Sequence, residues 1–245
     1  MRFLVFQHID IEHPGILRDF MAADGIAWDA VELDAGEAVP DFDGYDALMV
    51  MGGPMDVWQE DEHPWLRREK VAIREAVSER GIPFFGLCLG HQLLGEALGG
   101  TVGPMETPEV GILEVALTEE GRSDPLFDGI APTSKALQWH GAAVTETPPG
   151  AAVLAASPLC PIQAIRVGRT AYGIQYHVEL TPAMVGEWGC VPAYEASLEK
   201  VMGPGALDRL NQEAAHHMAA FNADAMRLYE NFVAIVKQQK VAPAA

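Results

Sequence analysis

Cys88 is one of three cysteines and lies in the run Phe85-Gly86-Leu87-Cys88-Leu89-Gly90-His91-Gln92. A strand signal precedes it and a helical signal follows, so its thiol stands at a sharp strand-to-helix turn. Glycines at 86 and 90 leave room for that turn and for close backbone approach. A helix N-terminus carries partial positive charge and free N–H groups. Both favour a thiolate, and the same N–H groups can stabilise an oxyanion. This is the logic of the nucleophile elbow of serine hydrolases, with sulfur in place of oxygen. An isolated cysteine is more often a small buried hydrophobe; the glycine pair and the turn argue for a nucleophile here. Farther along, Tyr172 to Glu179 is a strand signal ending in His177-x-Glu179. Residues two apart on an extended segment share a face. Glu179 is therefore placed to accept a hydrogen bond from one ring nitrogen of His177, fixing the tautomer and leaving the other nitrogen for a thiol. Cys160, beside Pro161, and Cys190, beside Gly189, lack such settings and read as structural or surface residues. Cys88 and His91 would lie one helical turn apart, but no second Cys/His pair completes a usual zinc pattern, so no metal is expected.

These groups need elements to hold them. Phe3 to Phe6, Trp28 to Leu33, Ala47 to Met51 and Pro83 to Leu87 read as strands, the third stopped by Gly52-Gly53-Pro54. Ile16 to Ala23, Pro64 to Glu79 and Leu89 to Leu98 read as the helices between them. Pro64 suits a first turn, and Leu66, Ile73 and Val77 share one helical face. Strands separated by helices imply parallel pairing, hence an α/β protein with three αβα layers around a mostly parallel, doubly wound sheet. Ligands on such sheets bind beyond the carboxyl ends of the strands, which points to Gly52-Gly53 and to Cys88. Shorter strands follow at 110–117, 136–144, 151–155, 162–167 and 171–176. Some antiparallel pairing is expected among them, including a hairpin around Gly168. From Thr181 onward the pattern is helical, most strongly from Ala206 to Lys237, and the tail Val241 to Ala245 is expected to fray. Residues 1–180 thus read as one catalytic domain, with 181–245 as a helical extension packed on the same domain.

The chain has 245 residues, 49% of them hydrophobic, enough for a sizeable core, and a formal charge of −19. So acidic a surface repels phosphate backbones and anionic lipid, which argues against nucleic acid and membrane partners. Three cysteines are too few and too odd for a disulfide scaffold, and a reducing cytosol is the simpler assumption. The apolar run at the N-terminus is too short for a signal peptide. No run approaches the roughly 20 residues of a membrane span. A soluble, cytoplasmic protein is expected.

The motif Gly86-Leu87-Cys88-Leu89-Gly90-His91-Gln92, followed by His177-x-Glu179, resembles the class I glutamine amidotransferases, and Gly52-Gly53-Pro54 after the third strand strengthens the match. The resemblance covers roughly residues 1–180. It is nearest to stand-alone, GMP-synthase-like glutaminase domains, whose segments Gln138-Trp139-His140-Gly141 and Pro161-Ile162-Gln163-Ala164 resemble. It implies a flavodoxin-like fold and a Cys-His-Glu triad of Cys88, His177 and Glu179. It further implies a γ-glutamyl thioester intermediate, an oxyanion hole from the N–H groups of Gly53 and Leu89, and Gln92 as a substrate contact. It implies no metal or organic cofactor. Two positions depart from the family pattern: Val178 replaces the usual proline between the triad His and Glu, and Ala142 stands where an acidic residue often follows the His-Gly pair. His140 is therefore left off the catalytic set and reads as readily as a loop histidine. His8, His13, His63, His216 and His217 have no comparable context.

The expected activity is hydrolysis of the side-chain amide of L-glutamine, releasing ammonia. No synthetase domain and no Gly-rich phosphate loop with lysine is recognised, so the ammonia would need a separate synthetase subunit or would be released. The same triad would equally serve a γ-glutamyl peptidase, and the fold could also serve a non-catalytic regulatory protein. The C-terminal helices could cover the site, form a homodimer face or dock a partner. Trp188, Tyr194, Phe221, Tyr229 and Phe232 read as core.

Overall fold

Phe3, Leu4, Val5 and Phe6 are all fully buried, as are Ala47 to Val50. Runs buried on both faces require a sheet covered on both sides, and the chain folds around one. The computed structural model describes residues 1–241. Its elements are β1 (Arg2–Gln7), α1 (Leu17–Ala23), β2 (Ala27–Glu32), β3 (Ala47–Val50), α2 (Trp65–Arg74), β4 (Phe84–Leu87), α3 (Leu89–Ala97), β5 (Thr101–Leu117), α4 (Glu119–Ser123), β6 (Thr133–Glu146), β7 (Ala152–Ala156), β8 (Ala164–Val167), β9 (Ala171–Ile174), α5 (Met184–Trp188), α6 (Pro192–Met202) and α7 (Ala206–Val241). One nine-stranded sheet runs in the order β2-β1-β3-β4-β9-β8-β7-β5-β6. The pairings from β2 through β9 are parallel. Those from β9 through β6 are antiparallel, and the expected hairpin turns at Gly168, with Val167 opposite Ala171.

Successive residues of β1 face opposite layers. Phe3 and Val5 join α1 and the C-terminal helices, through Met21, Trp188, Leu210, Phe221 and Phe232. Leu4 and Phe6 join α2 and α3, through Leu66, Ile73, Leu93 and Leu94. Each layer hides one apolar face of the sheet, the main driving force for this arrangement. Among the described residues, no helix is long and apolar enough to cross a membrane.

Several elements differ from expectation. β5 and β6 have 17 and 14 residues rather than the short lengths expected. No residue in the first half of β5 is buried, and glycine, prolines and polar residues interrupt it, so an apolar signal begins only at Val110; the pairing with β6 shifts register between Pro104 and Glu109. α2 stops at Arg74 and its last turn widens into a π-turn over Glu75–Glu79. β9 ends at Ile174, two residues early, because the chain leaves β8 and bridges β6 through His177 and Leu137. The expected fraying of the C-terminal tail concerns residues 242–245, outside the described residues; helix α7 continues through Val241.

Candidate active site

β4 delivers Cys88 to the carboxyl edge of the parallel strands and α3 begins at the next residue. Cys88 has φ +51° and ψ −102°, the sole non-glycine with positive φ among the described residues. Such a conformation is unfavourable for an L-residue and is held only where the surroundings demand it. Here they do. The Cys88 N–H donates to the Ile174 carbonyl at 2.8 Å, and the Gly90 N–H to the Met51 carbonyl at 3.1 Å. The turn passes so close to β3 that a Cβ on Gly90 would stand 2.1 Å from the Val50 carbonyl oxygen. A Cβ on Gly86 would stand 2.5 Å from the Gly90 backbone. The two glycines are therefore steric requirements of the elbow.

His177 is buried, its N–H and C=O bonded to Leu137 of β6 at 2.9 and 3.1 Å. Its Nδ1 lies 2.6 Å from Glu179 Oε1. Glu179 Oε2 accepts the Val178 N–H at 3.0 Å, so the carboxylate is itself fixed. Valine at 178 leaves a backbone donor that a proline would lack. Burial lowers the proton affinity of His177, but the Glu179 carboxylate and the adjoining Cys88 together outweigh it, and the pKa stands well above the ordinary histidine value. With Nδ1 bonded to Glu179, Nε2 is left for the thiol. Such an arrangement can take a proton from sulfur and return it to a leaving group.

Gly53, Leu89 and Gln92 line one pocket with Cys88, closed on the far side by Trp139 and His140 of β6 and by Tyr194 of α6. Among the described residues the Gly53 N–H has no protein acceptor, and Leu89, as first residue of α3, keeps a free helix N–H. The Gln92 side-chain NH2 is already engaged, donating to Ala142 O at 3.0 Å and to Gln175 Oε1 at 3.1 Å. Its carbonyl oxygen is what it has left to offer a ligand.

Other residues join the site that carried no motif. Gln175 Nε2 lies 3.5 Å from the Cys88 sulfur as a donor. Its place two residues before His177 was the available signal. Trp188 packs edge-on against the His177 ring, centroids 4.7 Å apart, and Tyr194 donates a short hydrogen bond to buried Glu12. Burial raises the Glu12 pKa, and burial together with Glu12 puts that of Tyr194 well above the ordinary tyrosine value. Trp188 is core as expected, whereas Tyr194 is also a pocket wall. His140 is a buried strand residue of β6, not a loop histidine. Its Nδ1 donates to Ala142 O at 2.9 Å.

The sequence suggested no metal site, yet Glu109, His140 and Cys160 lie within 4.8 Å of one another, all buried. The Glu109 oxygens are engaged already, accepting from Ser157 Oγ at 2.6 Å and Gln163 Nε2 at 2.7 Å. His140 Nε2 is 3.2 Å from Glu109 Oε2, within ion-pair reach but without hydrogen-bond geometry. Burial pushes the Cys160 thiol up to about 11, which disfavours the thiolate a metal would need. The cluster reads as a network tying β6 to the β7–β8 connection.

The family model of class I glutamine amidotransferase matches residues 20–187. A glutamine amidotransferase-like protein, YfeJ, of Salmonella typhimurium is 38% identical over 160 residues, 64% of this chain and 65% of that one. A glutamine-hydrolysing GMP synthase of Parafrankia is 36% identical over 135 residues, 55% of this chain and 23% of the synthase. The chain thus spans less than two thirds of either relative. A crystal structure of a glutamine amidotransferase from Thermotoga maritima superposes with a TM-score of 0.84 at 26% identity, covering 95% of this chain and 98% of that one.

Proposed function

The chain belongs to the class I glutamine amidotransferase family, and on that footing we propose that it hydrolyses the side-chain amide of L-glutamine with Cys88 as nucleophile, His177 as base and Glu179 as orienter. His177 Nε2 takes the thiol proton. Sulfur attacks the γ-carbonyl carbon and the electron pair moves to the carbonyl oxygen, which the N–H groups of Gly53 and Leu89 receive. The C–N bond breaks as His177 returns the proton to the leaving nitrogen, and ammonia departs. Water, deprotonated by His177, then attacks the γ-glutamyl thioester and releases glutamate and the thiol. Gln92 contacts the substrate through its free oxygen, and Gln175 steadies the sulfur. No residue in this cycle calls for a metal or an organic cofactor.

The observation that carries the reading is a thiol at a positive-φ elbow, beside a buried imidazole whose far nitrogen is 2.6 Å from a carboxylate. Electrostatic holding of the oxyanion is the largest contribution to be expected of such a site. All three cysteines are free thiols, which suits a reducing cytoplasm. By likeness to the glutamine-hydrolysing GMP synthase, the ammonia would pass to a synthetase. We read the described part of the C-terminal extension, residues 181–241, as packed on the same domain as 1–180, since α5 and α7 share an apolar core with β1.

The test is ammonia release from L-glutamine by the purified protein beside Cys88→Ala. Turnover lost in the variant supports the reading. Equal turnover in both sinks the Cys88 mechanism. No turnover on glutamine, but Cys88-dependent cleavage of a γ-glutamyl peptide, replaces glutaminase with γ-glutamyl peptidase.

A further inference from the structure

His8 follows directly on β1, lies outside the triad, and is fully buried. Its Nδ1 is 2.7 Å from the Gly52 carbonyl oxygen and its Nε2 is 2.9 Å from Glu69 Oε1. The Gly52 carbonyl can only accept, so Nδ1 carries a proton; Nε2 faces a carboxyl oxygen, and with Glu69 ionised the ring carries both protons. Trp65 stacks on it with centroids 5.4 Å apart and planes 15° from parallel, a geometry that favours a cation. Trp65 and Glu69 are four residues apart on α2, so one helix face presents both to the ring. The second Glu69 oxygen has no partner among the described residues, which leaves His8 as the countercharge of a carboxylate without solvent contact. Burial lowers the proton affinity of His8, but Glu69, the Gly52 carbonyl and Glu12 together lift it above the ordinary value.

The carbonyl that His8 holds has a second end. Gly52 C=O and Gly53 N–H belong to one planar trans peptide, so they point in opposite directions. Gripping the oxygen aims the N–H the other way, and Gly53 lines the pocket beside Cys88. A charged donor on the oxygen also polarises the peptide and makes its N–H a stronger donor. The loop has little freedom otherwise. A Cβ on Gly52 would stand 2.6 Å from Glu12 Oε2, and one on Gly53 would stand 3.0 Å from His8 Cβ.

We propose that His8, held by Glu69 and Trp65, is a positioning residue that orients and polarises the Gly52–Gly53 peptide as an oxyanion donor. This rests on the glutaminase reading above. The test compares the full-length wild type with the double variant His8→Asn/Glu69→Gln, which keeps a neutral donor near Gly52 O and leaves no buried charge unpaired. We expect kcat on glutamine to fall roughly tenfold or more, less than the ~10²- to 10³-fold cost of deleting an oxyanion donor outright. KM should stay within about twofold, as for an interaction made only in the transition state. Alkylation of Cys88 by iodoacetamide, a displacement at carbon that forms no oxyanion, should keep its rate. A parallel loss of alkylation and turnover would mean general damage to the site and would overturn the proposal. So would an unchanged kcat in the variant while the wild type turns over glutamine through Cys88. Wild-type protein without Cys88-dependent turnover would overturn the glutaminase reading itself, and this inference with it. Should the double variant fail to fold, imidazole 15N NMR of the wild type decides. An ordinary histidine titrates near pH 6.5. A His8 ring that keeps both protons as the pH rises past that point is the expected result, and a ring that has already lost one there overturns the proposal.

Discussion

His177 Nδ1 lies 2.6 Å from Glu179 Oε1, although β9 has ended three residues before the histidine. The pairing is thus not a property of a regular strand. It is held by the bridge between His177 and Leu137, by the Val178 N–H on the second carboxylate oxygen, and by the Trp188 ring at the imidazole edge. One carboxylate therefore sets both the tautomer of the ring and its affinity for a proton.

Glu179→Gln should keep a hydrogen bond to Nδ1 but remove the charge. Burial, which lowers the His177 pKa, then meets less opposition, so the pH at which His177 loses its proton should move down. Turnover should fall by about 10²-fold or more, since an uncharged orienter supports the wrong tautomer and no imidazolium. An NMR titration of the His177 ring checks the first effect and steady-state kinetics the second. A titration unmoved by the substitution would break the assigned coupling.

Stability should depend on pH through His8 and His177, two of the four buried histidines. Both His8 and His177 have folded pKa values raised above the ordinary value of 6.5. The stability each contributes is fully present below the unfolded pKa and is lost as pH rises through its folded pKa. Melting temperature should thus decline on raising the pH from near 6.5 upward. Glu69→Gln removes one of the carboxylates that raise His8, so its decline over that window should be shallower. Thermal melts of the two proteins across a pH series give the comparison.

Gly90→Ala should be severe because the obstruction is backbone. A Cβ there would stand 2.1 Å from the Val50 carbonyl oxygen, and neither β3 nor α3 can withdraw without breaking the Gly90 N–H bond to Met51. We expect a loss of about 3 kcal/mol, at the upper end of overpacking costs. Gly103→Ala, whose nearest neighbour would be a Thr145 methyl at 3.7 Å, serves as the control and should stay within about 0.5 kcal/mol. Chemical denaturation of both variants tests the contrast, and equal losses would refute it.

The elbow was legible because its chemistry is local. Gly86, Cys88 and Gly90 act within one turn, and the strand and helix signals on either side are strong. The same holds for His177 and Glu179, two residues apart. His8 and Glu69 are 61 residues apart, and nothing near either marks the other as its partner. Tyr194 and Glu12 meet across 182 residues, since α6 returns over the carboxyl edge of β1. A buried charge on a helix face also runs against amphipathic patterning, so Glu69 reads as surface until the fold places it. The first half of β5 was hidden for the opposite reason: a paired ribbon with no buried residue needs no apolar run.

Strain at the elbow gives the sharpest separation of activity from stability. Cys88 holds φ +51°, a region costing a non-glycine residue about 1–3 kcal/mol. Alanine inherits that cost because it has a Cβ, whereas glycine is largely free of it. Cys88→Gly and Cys88→Ala should both lose Cys88-dependent turnover, since neither carries a sulfur. They should differ in stability, the glycine variant unfolding at higher denaturant by about 1–3 kcal/mol, the cost of holding an L-residue in a sparsely populated backbone region. Part of that gain is offset by the greater entropy of glycine in the unfolded chain, about 0.4–1 kcal/mol, so the difference is an upper bound. A glycine variant no more stable than the alanine one would mean that the turn is relaxed at this residue. The cysteine would then owe its reactive setting to its neighbours alone, and not to a backbone held out of its preferred basin.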